Sequence, residues 1–428
     1  NRKLDRNALP EPKGQALDYA EPEGPAESAV SLVWCEVLGL VRVGREDDFF
    51  ALGGDSVVSI QAVSRLAQRG WEVTPRQLFE RPTVKGLAEV ALPVARALGW
   101  TAPVGPLVEL SAAERAALPV AEADLQEVYP AAPMQAGLVL HTLLEPGSGI
   151  YLMQNRHRLE GPLDLERHDA AWRAVVERHE ALRACFALEG VPRPLQLVRR
   201  EISGWLRHED LRGLEPAAQA LRVEAVLQAE LDLGLDLLHG PLFLVRLFKL
   251  GPASFEMVVS YHHAILDAWC VFLLLSEFAL AYRALERGRA LPPAAPPYRD
   301  FMAWLLSRDP APARAYWQEA LKGFAAPTPL PADRPFGQRG ERSRILDRQL
   351  VLTEGEDRAL RALAARHRLT LNSFVQAAWA LTLRQHGGGS DVLFGVTVAG
   401  RPPELPQFQG TLGLFIATIP LRLPLPSG

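Results

Sequence analysis

Cysteine is scarce in this 428-residue chain: Cys35, Cys185 and Cys270 are far apart, and each sits inside an apolar stretch. An odd and scattered set excludes a disulfide framework or a cysteine-based zinc site and reads as buried thiols in a reducing compartment. Charge of one sign is lacking too. The chain has 46 Lys and Arg against 50 Asp and Glu, a formal charge of −4, so there is no field for bulk binding of nucleic acid or an anionic membrane. No uninterrupted apolar run reaches the roughly 18 residues of a membrane span. The opening NRKLDRNALP has no apolar signal-peptide core. A cytoplasmic protein with neither nucleic-acid nor membrane partners is expected. There is no short-period repeat, and the length exceeds one ordinary core, which implies two or three domains.

Along the chain, residues 1–24 are charged and Pro-rich without periodicity. Apolar residues then recur at helical spacing from Glu27 to Val43, with Gly44 expected to end that helix. A second helix is expected over 56–68. "TPRQLFERPTVKGLAEVAL" gives a short turn and a last helix, each opened by a Thr before Pro or Val. This is a small helical bundle with nothing that reads as a strand. An Ala/Pro/Gly-rich linker follows at 95–121, and from about Asp124 the character becomes mixed α/β. "RHRLEGPL", "PLFLVRLFKL" and "SFEMVVSYHH" are strand-like, the last two joined by a hairpin at Gly251-Pro252-Ala253. Helices are expected at 165–180, 215–230, 267–287, 298–306, 311–322, 355–367 and 372–386, and strands near 391–398 and 415–423.

In "DDFFALGGDSVVSI" (47–60) Gly53-Gly54 lets the backbone turn tightly before Asp55 and Ser56 open a helix. Unpaired backbone N–H groups and the helix dipole favour an anion there, so a phosphodiester is well placed. A plain helix cap is the competing reading. Nucleophilic catalysis by Ser56 is disfavoured, because the bundle contains no histidine to act as base.

"DDFFALGGDSVVSIQAVSRL", with "LFERPTV" after it, resembles the peptidyl carrier domains of nonribosomal peptide synthetases. The resemblance implies a four-helix carrier bundle with 4′-phosphopantetheine attached covalently to Ser56, next to Asp55. "NRKLDRNALP" is similar to the last motif of an adenylation domain, in which Lys3 is the implied catalytic lysine. Residues 1–24 are then the remnant of such a domain and its linker, cut from a longer polypeptide.

A second cluster lies in "SYHHAILDAWC" (260–270). Adjacent strand residues point to opposite faces, so His262 and His263 do not both serve one site while the strand persists. That weakens a metal reading, for which no third ligand has suitable spacing. A structural histidine pair and a general acid–base histidine remain as alternatives.

This segment resembles the HHxxxD signature of condensation domains and the chloramphenicol acetyltransferase superfamily. "YPAAPMQAGLVLH" (129–141), "RHEALRACF" (178–186), "YRDFMAW" (298–304) and "GRPPELPQFQGTLGLFIATIPLRL" (400–423) resemble further condensation motifs in the right order. The resemblance implies an α/β two-lobed, chloramphenicol-acetyltransferase-like domain with His263 as catalytic residue. His262 would face the scaffold, and a structural Asp267 would pair with Arg183. Ala268 stands where the family most often has Gly, and a methyl there narrows the channel beside His263. The implied organisation is a carrier domain at 25–94, a linker at 95–121, and condensation lobes at 122–297 and 298–428, the second incomplete because the family continues beyond "IPLRLPLPSG".

The implied activity is peptide-bond formation by thioester aminolysis. The donor is an aminoacyl or peptidyl thioester on this carrier, and the acceptor amine comes on a downstream carrier. An upstream adenylation domain and a phosphopantetheinyl transferase are the other implied partners, and no metal is. An epimerisation-type domain on the same scaffold and a non-catalytic docking module are the alternatives. Heterocyclisation is disfavoured, since its DxxxxD pattern is absent.

Overall fold

The computed structural model describes residues 19–54, 56–73, 75–93, 101–324, 328, 349–367, 369–387, 389–402 and 405–425. Asp55, Lys3 and the opening NRKLDRNALP fall outside the described residues. The chain divides into two compact units, residues 1–99 with 354–371, and residues 100–353 with 372–428.

In the first unit α1 (Gly24–Leu38) ends at Gly39, whose φ of 69° gives a left-handed cap. The helix therefore stops five residues before Gly44, since glycine adopts that conformation without a Cβ clash. Next come α2 (Ser56–Gln68), β1 (Trp71–Glu72), α3 (Pro75–Glu80), α4 (Val84–Ala88) and β2 (Leu92–Pro93). The Thr83 hydroxyl caps α4 by accepting from Gly86 N–H, as expected; Thr74 falls outside the described residues. The bundle is not wholly free of strand: β1 and β2 form a two-residue antiparallel ladder, too short for a period-two pattern. Val30, Val33, Trp34, Phe49, Leu66, Leu78 and Leu87 form its core.

The second unit opens with α5 (Ala112–Ala116), β3 (Leu125–Pro130), α6 (Pro133–Leu144), β4 (Leu152–Glu160), α7 (Leu165–Arg178), β5 (Ala184–Ala187), β6 (Leu195–Arg199) and β7 (Leu206–Asp210). It continues through α8 (Pro216–Leu233), β8 (Phe243–Gly251), β9 (Ser254–His262), α9 (Ala268–Glu286), α10 (Tyr298–Leu306) and α11 (Ala311–Ala320). After α12 (Glu354–His367), which groups with the first unit, come α13 (Leu371–Gly387), β10 (Asp391–Val398) and β11 (Ala417–Pro424).

The main sheet has the order β4-β9-β8-β7, antiparallel except for the parallel β7–β8 pair. A smaller sheet runs β3-β6-β5, and β10 pairs with β11. The apolar faces of β8 and β9 meet α7 and α9 in one core that holds Trp172, Phe243, Tyr261 and Leu274. By length and mean hydropathy of 1.5, α9 passes for a membrane span. It nevertheless carries Glu277, which pairs with Arg178 at 3.3 Å, and it seats Cys270, Leu274 and Ala281 in the core. For the active site, the consequential feature is the end of β9, where Leu152 pairs with His262 and the chain then turns toward α9.

Candidate active site

Each residue of "DDFFALGG" has a structural task. The Asp47 carboxylate accepts from Gly44 N–H at 2.7 Å, and the Asp48 carboxylate accepts from Phe50 and Ala51 N–H at 2.8 and 3.0 Å. Such local bonds fix turns. Phe49 is fully buried against Trp34, ring centroids 5.0 Å apart, and Phe50 stacks on Phe79 at 4.6 Å. Gly53 has φ +99°, and a Cβ at Gly54 would lie 2.3 Å from the Phe49 ring. The turn packs only because both are glycine. Ser56 follows as the first residue of the 13-residue α2, behind a turn in which Ala51 and Gly53 are exposed. A helix start behind a rigid turn suits attachment of a phosphodiester.

The second cluster separates its two histidines by environment. His262 is 2 % exposed. Its Nδ1 accepts the Ala264 N–H at 3.1 Å, so the ring proton sits on Nε2, 3.0 Å from Thr142 Oγ1. The Thr142 hydroxyl in turn donates to Leu138 C=O at 2.9 Å. Burial, with the neighbouring His263 adding to it, pushes the His262 pKa down to about 4. His262 is a buried, neutral residue with both ring nitrogens engaged.

This assignment sets a pH dependence. A histidine titrating near 4 when folded and 6.5 when unfolded leaves stability unchanged above pH 6.5. Between 6.5 and 4 the unfolded chain binds the extra proton, so stability falls by about 1.4 kcal/mol per pH unit, roughly 3 kcal/mol in all. Thermal unfolding of the whole chain is expected to shift down across this window. His262→Gln should start less stable and lose less on acidification; parallel pH curves for the two proteins would contradict the assignment.

His263 lies one residue beyond β9 and is half-buried. Its backbone N–H donates to Tyr151 C=O at 2.7 Å, extending the β4–β9 ladder by one rung. Its Nδ1 is enclosed and unpartnered, and Nε2 is the ring nitrogen left for an incoming group.

Asp267, 2 % exposed, caps α9 by accepting from Cys270 N–H at 3.0 Å. Its other oxygen accepts from Phe415 N–H at 3.1 Å. The cation beside it is Arg401, at 3.9 Å, not Arg183. Arg401 donates to Phe408 and Thr411 C=O at 2.5 and 2.9 Å and lies 3.8 Å above the Phe415 ring. With Cys270 Sγ donating to Gly413 C=O at 3.0 Å and Tyr298 OH to Leu414 C=O at 2.6 Å, the 408–415 segment is latched to the start of α9. Arg183 has a different task. It donates to the last carbonyls of α7, Val176 at 3.1 Å and Glu177 at 3.3 Å, and to Gln126, Arg199 and Arg200. It caps a helix end, where backbone carbonyls lack partners, and burial lowers its pKa.

A double-mutant cycle distinguishes the two arginines. Asp267→Asn is expected to cost about 2–4 kcal/mol of stability, because it sets an amide N–H against a backbone N–H beside the buried Arg401. Coupling of about 1 kcal/mol or more is expected with Arg401→Gln and near zero with Arg183→Gln, read from denaturant midpoints; the reverse ranking would restore the Arg183 pairing.

Sequence reasoning passed over several groups that hold this loop. Gln135 donates to Ala264 C=O at 2.9 Å and to Gln196 at 2.6 Å, and Gln196 donates to Tyr129 OH at 2.8 Å. Gln135 and Arg401 lie inside quoted motifs, and a lone glutamine on an apolar helix was the available signal. A cavity of about 820 Å³ lies elsewhere, under residues 101–106 and walled by Glu127, Glu180, Arg299 and Asp300; its lining includes neither histidine.

A family model described as "Condensation domain" matches residues 125–427, and one described as "Phosphopantetheine attachment site" matches residues 28–91. A linear gramicidin synthase polypeptide of Brevibacillus parabrevis is 34% identical over 381 residues, covering 86% of this chain and 7% of that protein. Chondramide synthase of Chondromyces crocatus is 40% identical over 281 residues, 65% of this chain and again 7% of that protein. The chain thus spans less than a tenth of the length of these relatives. Among solved structures, the first condensation domain of the calcium-dependent antibiotic synthetase in complex with a substrate analogue matches with TM-score 0.54 at 25% identity, covering 71% of each chain. The starter condensation domain of rhizomide synthetase matches in fold, with TM-score 0.54 at 24% identity over 70% of this chain and 67% of that one.

Proposed function

The chain belongs to the condensation-domain family of nonribosomal peptide synthetases, with a carrier domain ahead of it, and from that membership we propose that it joins an acyl group held on its own carrier to an amine presented by a second carrier. The observation that carries this reading is the contrast at the end of β9: a neutral His262 with both ring nitrogens occupied, next to a half-buried His263 for whose ring no hydrogen bond is found among the described residues. Ser56 is the attachment point for 4′-phosphopantetheine, which when bound supplies a thiol to carry the acyl group as a thioester. The glycine turn ahead of the helix start supports that reading.

His263 meets the acceptor amine and either takes its proton or orients its lone pair toward the thioester carbonyl. Asp267, Arg401 and Arg183 act on no reacting atom: the first two hold the 408–415 latch to the start of α9, and Arg183 caps the end of α7. The donor carrier spans 25–94 and the condensation lobes 122–297 and 298–428. Activation by an upstream adenylation domain, priming by a phosphopantetheinyl transferase and a cytoplasmic setting complete the proposal; the last is supported by three free cysteines.

The test transfers an aminoacyl- or peptidyl-phosphopantetheine to Ser56 in one step from the matching acyl-coenzyme A and adds an amine-charged acceptor carrier. Intact-mass detection of the extended acceptor is expected. Inversion of the loaded residue without amide formation would favour an epimerisation-type domain, and neither product would favour a docking module.

A further inference from the structure

Tyr151 is the one non-glycine residue with positive φ, 63°, among the described residues. A left-handed backbone is unfavourable for a residue with a Cβ, and it persists only where the surroundings over-determine it, often at active sites. Here each part of Tyr151 is engaged. Its carbonyl accepts the His263 N–H at 2.7 Å. Its phenol oxygen lies 2.9 Å from His141 Nδ1. Its ring meets those of His141 and His262 edge-on, at 5.6 and 6.4 Å between centroids.

The tautomer of His141 follows from its other neighbour. Nε2 lies 3.4 Å from Glu145 Oε1, so the ring proton faces the carboxylate and Nδ1 accepts from the phenol. Glu145, His141, the Tyr151 phenol, the Tyr151 carbonyl and the His263 amide therefore form one connected series. It starts at the C-cap of α6 and passes through His141, beside which Thr142 holds His262. Two consecutive residues of α6 thereby govern two consecutive histidines, one through its side chain and one through its backbone.

We propose that Tyr151 is a positioning residue for His263: the Glu145–His141 pair holds the phenol, the phenol holds the left-handed backbone, and that backbone aims its carbonyl at the His263 amide. The role rests on the reading of His263 as the residue that meets the acceptor amine. Tyr151 touches no reacting atom in this scheme. Its effect is on the placement of the imidazole, to which rates are sensitive.

Tyr151→Phe keeps the ring and removes the hydroxyl. In the primed full chain it is expected to lower kcat roughly tenfold with KM for both substrates within about twofold. His141→Ala should do the same, His141→Gln should restore much of the loss because its amide oxygen accepts the phenol proton, and Tyr151→Phe/His141→Ala should be no worse than either single variant. A Tyr151→Phe protein with wild-type kcat, or one whose loss is entirely in KM, overturns the proposal. A second readout is independent of turnover. In histidine-labelled protein, Tyr151→Phe is expected to shift or broaden the His263 ring resonances and leave those of His262 in place. Unchanged His263 resonances overturn the proposal even where the chain forms no amide, whereas absence of amide in the wild type counts against the functional reading alone.

Discussion

Ser56→Ala is expected to abolish modification outright. With a phosphopantetheinyl transferase and coenzyme A, the wild-type chain gains the mass of one phosphopantetheine arm and the variant gains none. The loss is complete because no neighbouring hydroxyl can take over: Ser59, one turn along α2, is 1 % exposed and cannot reach a transferase. The fold should survive. Ser56 opens a helix whose packing rests on Ala62 and Leu66, and removal of a hydroxyl at a helix start costs about 1 kcal/mol. Amide formation from the carrier-bound donor then falls to background, while a soluble donor thioester bypasses the defect and keeps the condensation unit active. Mass gain on the Ser56→Ala chain would move the attachment site elsewhere.

Much of this could be read in the sequence, because the informative signals are local. The glycine pair, the helix behind it and the β8–β9 hairpin each announce themselves within a dozen residues, through turn chemistry and period-two or helical spacing. The strands β3, β5, β6 and β7 did not, being four to six residues long and, in β5, buried on both faces. Strand alternation set His262 and His263 on opposite faces, while the resemblance to the HHxxxD signature, not spacing, implied which of the two is buried. What sequence could not supply was pairing across the fold. Asp267 and Arg183 are both buried and opposite in charge, which makes the pairing reasonable on chemistry alone. Yet the α7 carbonyls claim Arg183, and the latch brings Arg401 to the carboxylate. Tyr151 was illegible for a different reason: tyrosine gives no hint of a left-handed backbone, which exists only because its carbonyl, ring and hydroxyl are each held by residues of α6 or by the histidine pair.

His263→Ala is expected to slow amide formation by about 10² in kcat with the fold intact, the lower end of the ~10²–10⁴ that positioned acid–base help usually contributes. The reason for the lower end is Nδ1. In a nucleophile–base pair a third group fixes the base's tautomer and stabilises its charged form. Here Nδ1 is buried with no acceptor, so nothing on that side of the ring stabilises the positive charge that an imidazolium formed by proton uptake at Nε2 would carry. The ring is therefore better built to accept a hydrogen bond from the amine, steering its lone pair, than to hold its proton. Glutamine separates the two roles, since its side-chain oxygen can occupy the place of Nε2 but has almost no basicity. If steering dominates, His263→Gln recovers about tenfold over His263→Ala. If proton uptake dominates, His263→Gln is as slow as His263→Ala. A loss of less than tenfold in His263→Ala would remove this residue from the chemistry and leave the tethered donor, delivered at high effective concentration, as the main source of rate.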